Sequence, residues 1–102
     1  MSNRIEVDTA VLRDVSAKTD SFIASLKSKR ETLKNYGNEL ATVWQGADAT
    51  KFQKRYNAIV SDTGFAEELI DALESYRDYL KYCAERYEKT AEAAVSRANG
   101  IW

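Results

Sequence analysis

The chain has 102 residues and a formal net charge of −1, with no proline, no histidine, four glycines and the single cysteine Cys83. This length fits one domain, and the composition excludes histidine-dependent catalysis, histidine-ligated zinc and an intramolecular disulfide. The charge gives no basic excess for nucleic acid, and no apolar run has the length of a membrane span or a signal peptide. We therefore expect a non-enzymatic helical protein without cofactor or metal.

Apolar residues at heptad spacing predict a first long helix over about residues 8–43, with Asp8 or Thr9 as its N-cap. A spacing of seven residues is typical of a narrow contact stripe against one partner helix. Gly37 lies inside this helix, where glycine costs up to about 1 kcal/mol relative to alanine, and a close helix–helix approach would explain it. The two rows read Leu12, Thr19, Leu26, Leu33, Leu40 and Val15, Phe22, Lys29, Tyr36, Val43.

A short non-periodic stretch over residues 44–47 predicts the one reversal of the chain. Gly46 can adopt a positive φ at low cost, as a tight turn requires, and Asp48 is placed to start a second helix. Because so few residues separate the two patterns, the helices must fold back on each other as an antiparallel hairpin.

The second pattern predicts a helix over about residues 48–98, followed by a tail at 99–102. One row contains only apolar and aromatic residues: Phe52, Ile59, Ala66, Leu73, Leu80, Tyr87 and Ala94. Its companion row shifts by one position near residues 61–65, which indicates a kink or a break there. Glu67 and Glu68 would then lie in a new first turn, where carboxylates suit the helix dipole.

The apolar surface is wider than one hairpin can bury, so the fold class we predict is all-α, a helical hairpin that dimerises into an elongated four-helix bundle. Residues 1–56 carry 10 basic and 7 acidic side chains, and residues 57–102 carry 5 and 9, which favours arms lying side by side. The dimer is a homodimer or a heterodimer with a related small helical protein. The residues predicted to form the hairpin and dimer contacts are Leu26, Leu33, Leu40, Phe52, Ile59, Leu73 and Leu80.

The tripeptide Trp44-Gln45-Gly46 at the predicted turn resembles the signature of the WXG family, the small substrates of bacterial type VII (ESX) secretion. The run that continues through Asp48 to Phe52 and Tyr56 is similar to the start of that family's second helix. The resemblance implies a dimer that a membrane ATPase exports in folded form, secreted without a cleavable signal peptide and cytoplasmic before export. It also implies that Trp44 and Gly46 form part of the secretion signal.

The C-terminal Tyr-x-x-x-Asp/Glu motif of the family is not matched in this chain. Arg86 stands four residues after Tyr82, and Ala91 stands four residues after Tyr87. From the resemblance, Tyr87 is the remaining candidate for a C-terminal signal. Tyr79 lies with Tyr82 off the predicted contact face, so both are candidates for docking outside the hairpin.

Two functional hypotheses follow. In the first, the chain is a secreted or co-secreted export substrate or adaptor of a type VII system, with the Trp-x-Gly turn as part of a composite signal. In the second, it is a non-secreted helical interaction module or a chaperone-like partner of a helical toxin or effector. The bulk of Trp44 also fits a purely structural role at the open end of the hairpin, and Cys83 on an apolar row fits a small buried hydrophobe.

Overall fold

The computed structural model describes the backbone of residues 7–101 and the side chains of residues 7–91. In this part the chain forms three helices and no strand: α1 (Thr9–Ala41), α2 (Ala47–Val60) and α3 (Phe65–Ile101). The principal extents are 80 × 26 × 18 Å and the radius of gyration is 22.6 Å. A compact domain of this length has a radius of gyration of about 13 Å, so the molecule is a rod. The all-helical hairpin predicted from the sequence is confirmed.

Helix α1 begins and ends at polar side chains. The Asp8 side chain caps the N-terminus and accepts a 2.9 Å hydrogen bond from the backbone N–H of Ala10. The helix ends at Ala41, two residues before the predicted end, and the Thr42 hydroxyl donates a 2.6 Å hydrogen bond to the Glu39 carbonyl. These local bonds satisfy backbone groups that have no partner within the helix.

The second half of the chain is broken, not kinked, at the predicted position. Helix α2 ends at Val60, Ser61 is extended, and α3 starts at Phe65 with Glu67 and Glu68 in its first turn. Gly64 is buried in the break. A Cβ at Gly64 would lie 2.7 Å from the carbonyl oxygen of Ala58, so the backbone itself requires glycine there.

The far end of α3 differs from the sequence prediction. The helix continues to Ile101 instead of ending near residue 98, because a glycine such as Gly100 weakens a helix without stopping it. The remainder of the predicted tail, Trp102, lies outside the described residues.

Small and β-branched residues form the hairpin seam, the contact of α1 with α2 and α3. Ser16, Ile23 and Gly37 of α1 are buried, as are Ile70 and Ala84 of α3. The Ser16 hydroxyl is satisfied by the Arg77 carbonyl at 3.3 Å. Small side chains let the two helices approach closely, but they leave a thin core.

The seam contains one of the two rows predicted on α1, and a third row takes the place of the other. The row at the centre of the seam contains the buried Ser16, Ile23 and Gly37 and the half-buried Arg30. Beside it lie the half-buried Leu12, Thr19, Leu26 and Leu40. The predicted companion row lies outside the seam, and its residues Val15, Phe22, Tyr36 and Val43 are exposed. Polar and small residues therefore occupy seam positions while aromatic residues face solvent.

A ladder of ion pairs follows one edge of the seam, and we call this surface the ion-paired face. Arg13 binds Glu88 through two contacts of 2.6 and 2.9 Å. The pairs of α1 with the second half of the chain are Arg13–Glu88, Asp20–Arg77, Lys27–Glu74, Arg30–Glu67 and Lys34–Asp62. Exposed pairs contribute little individually, yet their order matches only an antiparallel alignment. The opposite charges of the two halves are thus used between the arms.

Candidate functional site

The tip of the hairpin presents a partly exposed tryptophan on an aromatic stack. The Trp44 side chain follows the end of α1 and is 38% exposed. Its ring centroid lies 5.4 Å from that of Phe52, at an interplanar angle of 47°. Phe52 in turn stacks on Tyr56 at 5.4 Å and 28°. Such tilted and offset ring pairs are favourable geometries, so α2 holds one side of the Trp44 ring in place.

The base of this stack is fixed to α1. The Tyr56 hydroxyl donates a short hydrogen bond to the Leu33 carbonyl, and its ring lies against Gly37. The Gln53 side-chain amide donates a 3.1 Å hydrogen bond to the Gly37 carbonyl. The close approach expected at Gly37 is therefore present, and it anchors the start of α2 to α1 next to the tip.

Gly46 contributes backbone conformation to the tip. It has φ 119° and ψ −177°, a region that is essentially restricted to glycine. Nothing lies within 4 Å of the position that a Cβ would occupy, so the requirement comes from the dihedral angles and not from crowding. The Gly46 carbonyl accepts bonds from the N–H and hydroxyl of Thr50, which start α2 in the direction that stacks Phe52 under Trp44.

The side of the hairpin opposite the ion-paired face is apolar, and the described residues leave it uncovered. We call it the apolar face and define it by Val15, Phe22, Leu33 and Tyr36 of α1 with Leu69 and Tyr76 of α3. These six side chains are between 37% and 59% exposed. Large apolar patches on a small protein mark interaction surfaces.

A small hollow lies in the middle of the apolar face, next to the break between α2 and α3. Its volume is about 90 Å³, and Leu26, Leu33, Ala66, Leu69 and Ile70 line it together with Lys29, Arg30 and Val60. Arg30 reaches from the hollow to the opposite edge, where it binds Glu67. The buried Nε atom of Arg30 has no hydrogen-bond partner in the described part of the chain.

The residues predicted for hairpin and dimer contacts are half-buried or exposed. Leu33 is 41% exposed and Ile59 is 49% exposed. The half-buried members are Leu26, Leu40, Phe52, Leu73 and Leu80. Their position between the buried seam and solvent leaves apolar surface available to a second molecule.

The tyrosine-rich part of α3 forms a second surface feature. Tyr79 and Tyr82 are exposed, with ring centroids 6.5 Å apart, whereas Tyr87 is half-buried. They line a surface hollow of about 320 Å³ with Cys83, Arg86 and Thr90. A hydrogen bond with half-buried Cys83 raises the pKa of the Tyr79 phenol. The side chain of Glu92, five residues after Tyr87, lies outside the described residues.

Other kinds of site find no support in the described residues. No group of three His, Cys, Asp or Glu side chains there is arranged to hold a metal ion. No described helix combines the length with the hydropathy that a membrane span needs.

Comparison with known proteins identifies the family. The family model described as proteins of 100 residues with WXG, WXG100, matches residues 4–92, and the chain belongs to this family. It is therefore a small helical protein of the type VII secretion kind. No curated protein and no solved structure matches the chain significantly.

Proposed function

We propose that this member of the WXG100 family is a folded export substrate or adaptor of a type VII secretion system, paired with a second helical hairpin. The proposal rests on the geometry of the hairpin tip. Trp44 is partly exposed, yet its ring is held by Phe52 and its backbone by the glycine-only conformation at Gly46. A large aromatic ring presented in one fixed orientation is a suitable recognition element, because little entropy is lost when it binds.

The apolar face supports the pairing. The buried hydrophobic side chains of the described hairpin are few, and two of them, Ala49 and Ala84, are alanine. Covering the exposed aromatic and aliphatic side chains of the apolar face would add the core that the single rod lacks, at about 25 cal/mol per Å² of apolar area. Four-helix bundles are built by this kind of packing between hairpins.

The unmatched C-terminal motif favours an export signal shared between two chains. Tyr82 is followed at the fourth position by Arg86, a cation in place of the family's carboxylate. Trp44 would therefore supply one half of the signal, and the partner's C-terminal segment would supply the other. Before export the protein would be cytoplasmic, and it would leave the cell folded and without a cleavable signal peptide.

Deletion of the gene for the secretion ATPase tests export. The chain is expected to disappear from the culture medium and to accumulate in the cells of the deletion strain. A cytoplasmic marker protein controls for lysis. An unchanged level in the medium would contradict export by this system and would support the alternative of a non-secreted interaction module for a helical toxin or effector.

A further inference from the structure

A polar cleft lies between α1 and α2, on the side of the hairpin tip. Its volume is about 280 Å³, and Lys34, Gly37, Gln53 and Tyr56 are among the residues that line it. Lys34 also forms the ion pair of the ladder that lies nearest the tip, with Asp62, so the cleft continues the ion-paired face. A molecule that covers the apolar face would therefore leave this cleft open.

Side-chain amides are concentrated in this cleft. Residues 7–91 contain five asparagines and glutamines, and four of these line the cleft: Asn35, Asn38, Gln53 and Asn57. The fifth, Gln45, lies in the turn between α1 and α2. Nearly all the amide side chains of the described residues thus converge on one place in the fold.

The fold itself does not require these amides. Asparagine is a poorer helix former than alanine, because its side chain competes for backbone hydrogen bonds, yet Asn35 and Asn38 lie within α1 and Asn57 lies within α2. All three residues are exposed. Among the side chains that line the cleft, those that hydrogen-bond to other described residues are its lysine, its glutamine and its tyrosine. The asparagine amides remain available to a ligand, and residues that oppose the local structure are typical of functional sites.

The charges that line the cleft balance. They are one carboxylate and one ammonium group, Glu31 and Lys34, which lie 3.8 Å apart. The cleft therefore favours neither an anion nor a cation. Amide groups both donate and accept hydrogen bonds, as hydroxyl groups do, and Tyr56 and Val60 add a small apolar surface. This combination suits an uncharged ligand that is rich in hydroxyl groups.

We propose that the cleft binds a neutral saccharide. The amides of both helices exchange hydrogen bonds with its hydroxyl groups, the Glu31 carboxylate accepts a further one, and Tyr56 contacts the C–H face of a ring. A volume of about 280 Å³ is at the lower end of ligand pockets, so it accommodates about one or two sugar rings and leaves no pocket for the side chains of an extended peptide. Saccharide binding is independent of export and of pairing.

The side-chain amide signals of a nitrogen-15 NMR spectrum report binding at the cleft directly. Maltose and diacetylchitobiose are the saccharide probes, neutral disaccharides without and with acetamido groups, and acetyl-trialanine amide is the peptide probe. At least one saccharide is expected to shift the four cleft amide signals in a saturable way, with a dissociation constant of about 1 mM because the cleft is open to solvent. The side-chain signals of Gln45 should not move and serve as the internal control.

Asn35→Ala combined with Asn38→Ala removes two of the four amides. This variant should remain helical, because alanine is the better helix former, and should bind the saccharide about tenfold more weakly or worse, read from the two remaining amide signals. Ser28→Ala combined with Thr32→Ala removes two polar side chains from exposed positions of α1 outside the cleft, and this matched control should bind as the wild type does.

Three results would overturn the proposal: no shift with either saccharide at about 20 mM, equal binding by the N35A/N38A variant, or shifts of the cleft amides with the peptide alone. The last result would assign the cleft to a peptide. None of these results bears on export, which the ATPase deletion tests separately.

Discussion

The edge of the Tyr56 ring that carries Cδ1 and Cε1 lies against Gly37, so closely that α1 has no space for a side chain at that residue. A Cβ on Gly37 would lie 2.7 Å from Cε1 and 2.9 Å from Cδ1 of the ring. The ring cannot move away without losing the hydrogen bond from its hydroxyl to the Leu33 carbonyl. This contact ties α2 to α1 and fixes the aromatic stack that ends at Trp44.

Gly37→Ala is expected to lower the free energy of unfolding by about 1 kcal/mol, because the overpacking penalty exceeds the gain in helix propensity. Thermal unfolding followed by circular dichroism measures the change. In a Tyr56→Ala background the clash is absent, so the same substitution should be neutral or stabilising. A stabilised G37A protein with Tyr56 intact would show that the contact is looser than described.

Gly46→Ala is expected to cost about 1–3 kcal/mol of stability, because an L-residue is strained at φ 119°. The matched control is a synthetic chain with D-alanine at residue 46, for which these dihedral angles are ordinary extended backbone. Since D-alanine adopts these dihedral angles without strain, the D-alanine protein should unfold close to the wild-type temperature. Equal destabilisation by both alanines would contradict a conformational role.

The stability contributions of two carboxyl groups of α3 are expected to change in opposite directions with pH. The hydrogen bond from Arg13 lowers the pKa of Glu88, so its stabilising contribution is present above the ordinary glutamate pKa and is lost as the pH falls through the lowered value. Burial, with neighbouring Glu67, raises the pKa of Asp71, so its contribution is present at acid pH and is lost as the pH rises. Thermal unfolding of single variants over a range of pH separates the two.

Glu88→Gln should lower the melting temperature at neutral pH, with a difference from wild type that closes in acid. Asp71→Asn should raise the melting temperature at neutral pH, and that difference should also close in acid. The same sign for both variants at neutral pH would contradict the assigned environments.

Phe22→Asp is expected to weaken pairing by tenfold or more, at about 1.4 kcal/mol per tenfold, because it places a charge within the apolar face. Sedimentation equilibrium of the variant and of the wild type, over the same range of concentrations, provides the measurement. Ser28→Asp adds the same charge at an exposed position of α1 outside the rows that define the face, and it should leave association unchanged. Equal effects of both substitutions would place the interface elsewhere.

Local features of this fold could be predicted from the sequence because a few residues determine them. The reversal follows from the short non-periodic stretch around Gly46, the break from the row shift near Gly64, and the close approach from Gly37. The antiparallel ladder was foreseeable as well, since the two halves carry opposite charges.

The seam row of α1 could not be predicted by counting apolar residues. Arg30 occupies a seam position because Glu67, 37 residues away along the chain, neutralises it. Ser16 and Gly37 are selected there by small size and not by hydrophobicity. The apolar companion row, with Phe22 and Tyr36, instead forms the face left open by the chain. Apolar periodicity alone does not separate a contact within a chain from a surface left open.

Export of Trp44→Ala tests the central claim most directly. The variant should keep the helical spectrum and the sedimentation behaviour of the wild type, while its level in the culture medium falls sharply against a cell-lysis control. Trp44→Phe keeps an aromatic ring on Phe52 and should retain part of the export. Wild-type export of W44A, or loss of its fold together with export, would contradict a recognition role and leave Trp44 a structural residue.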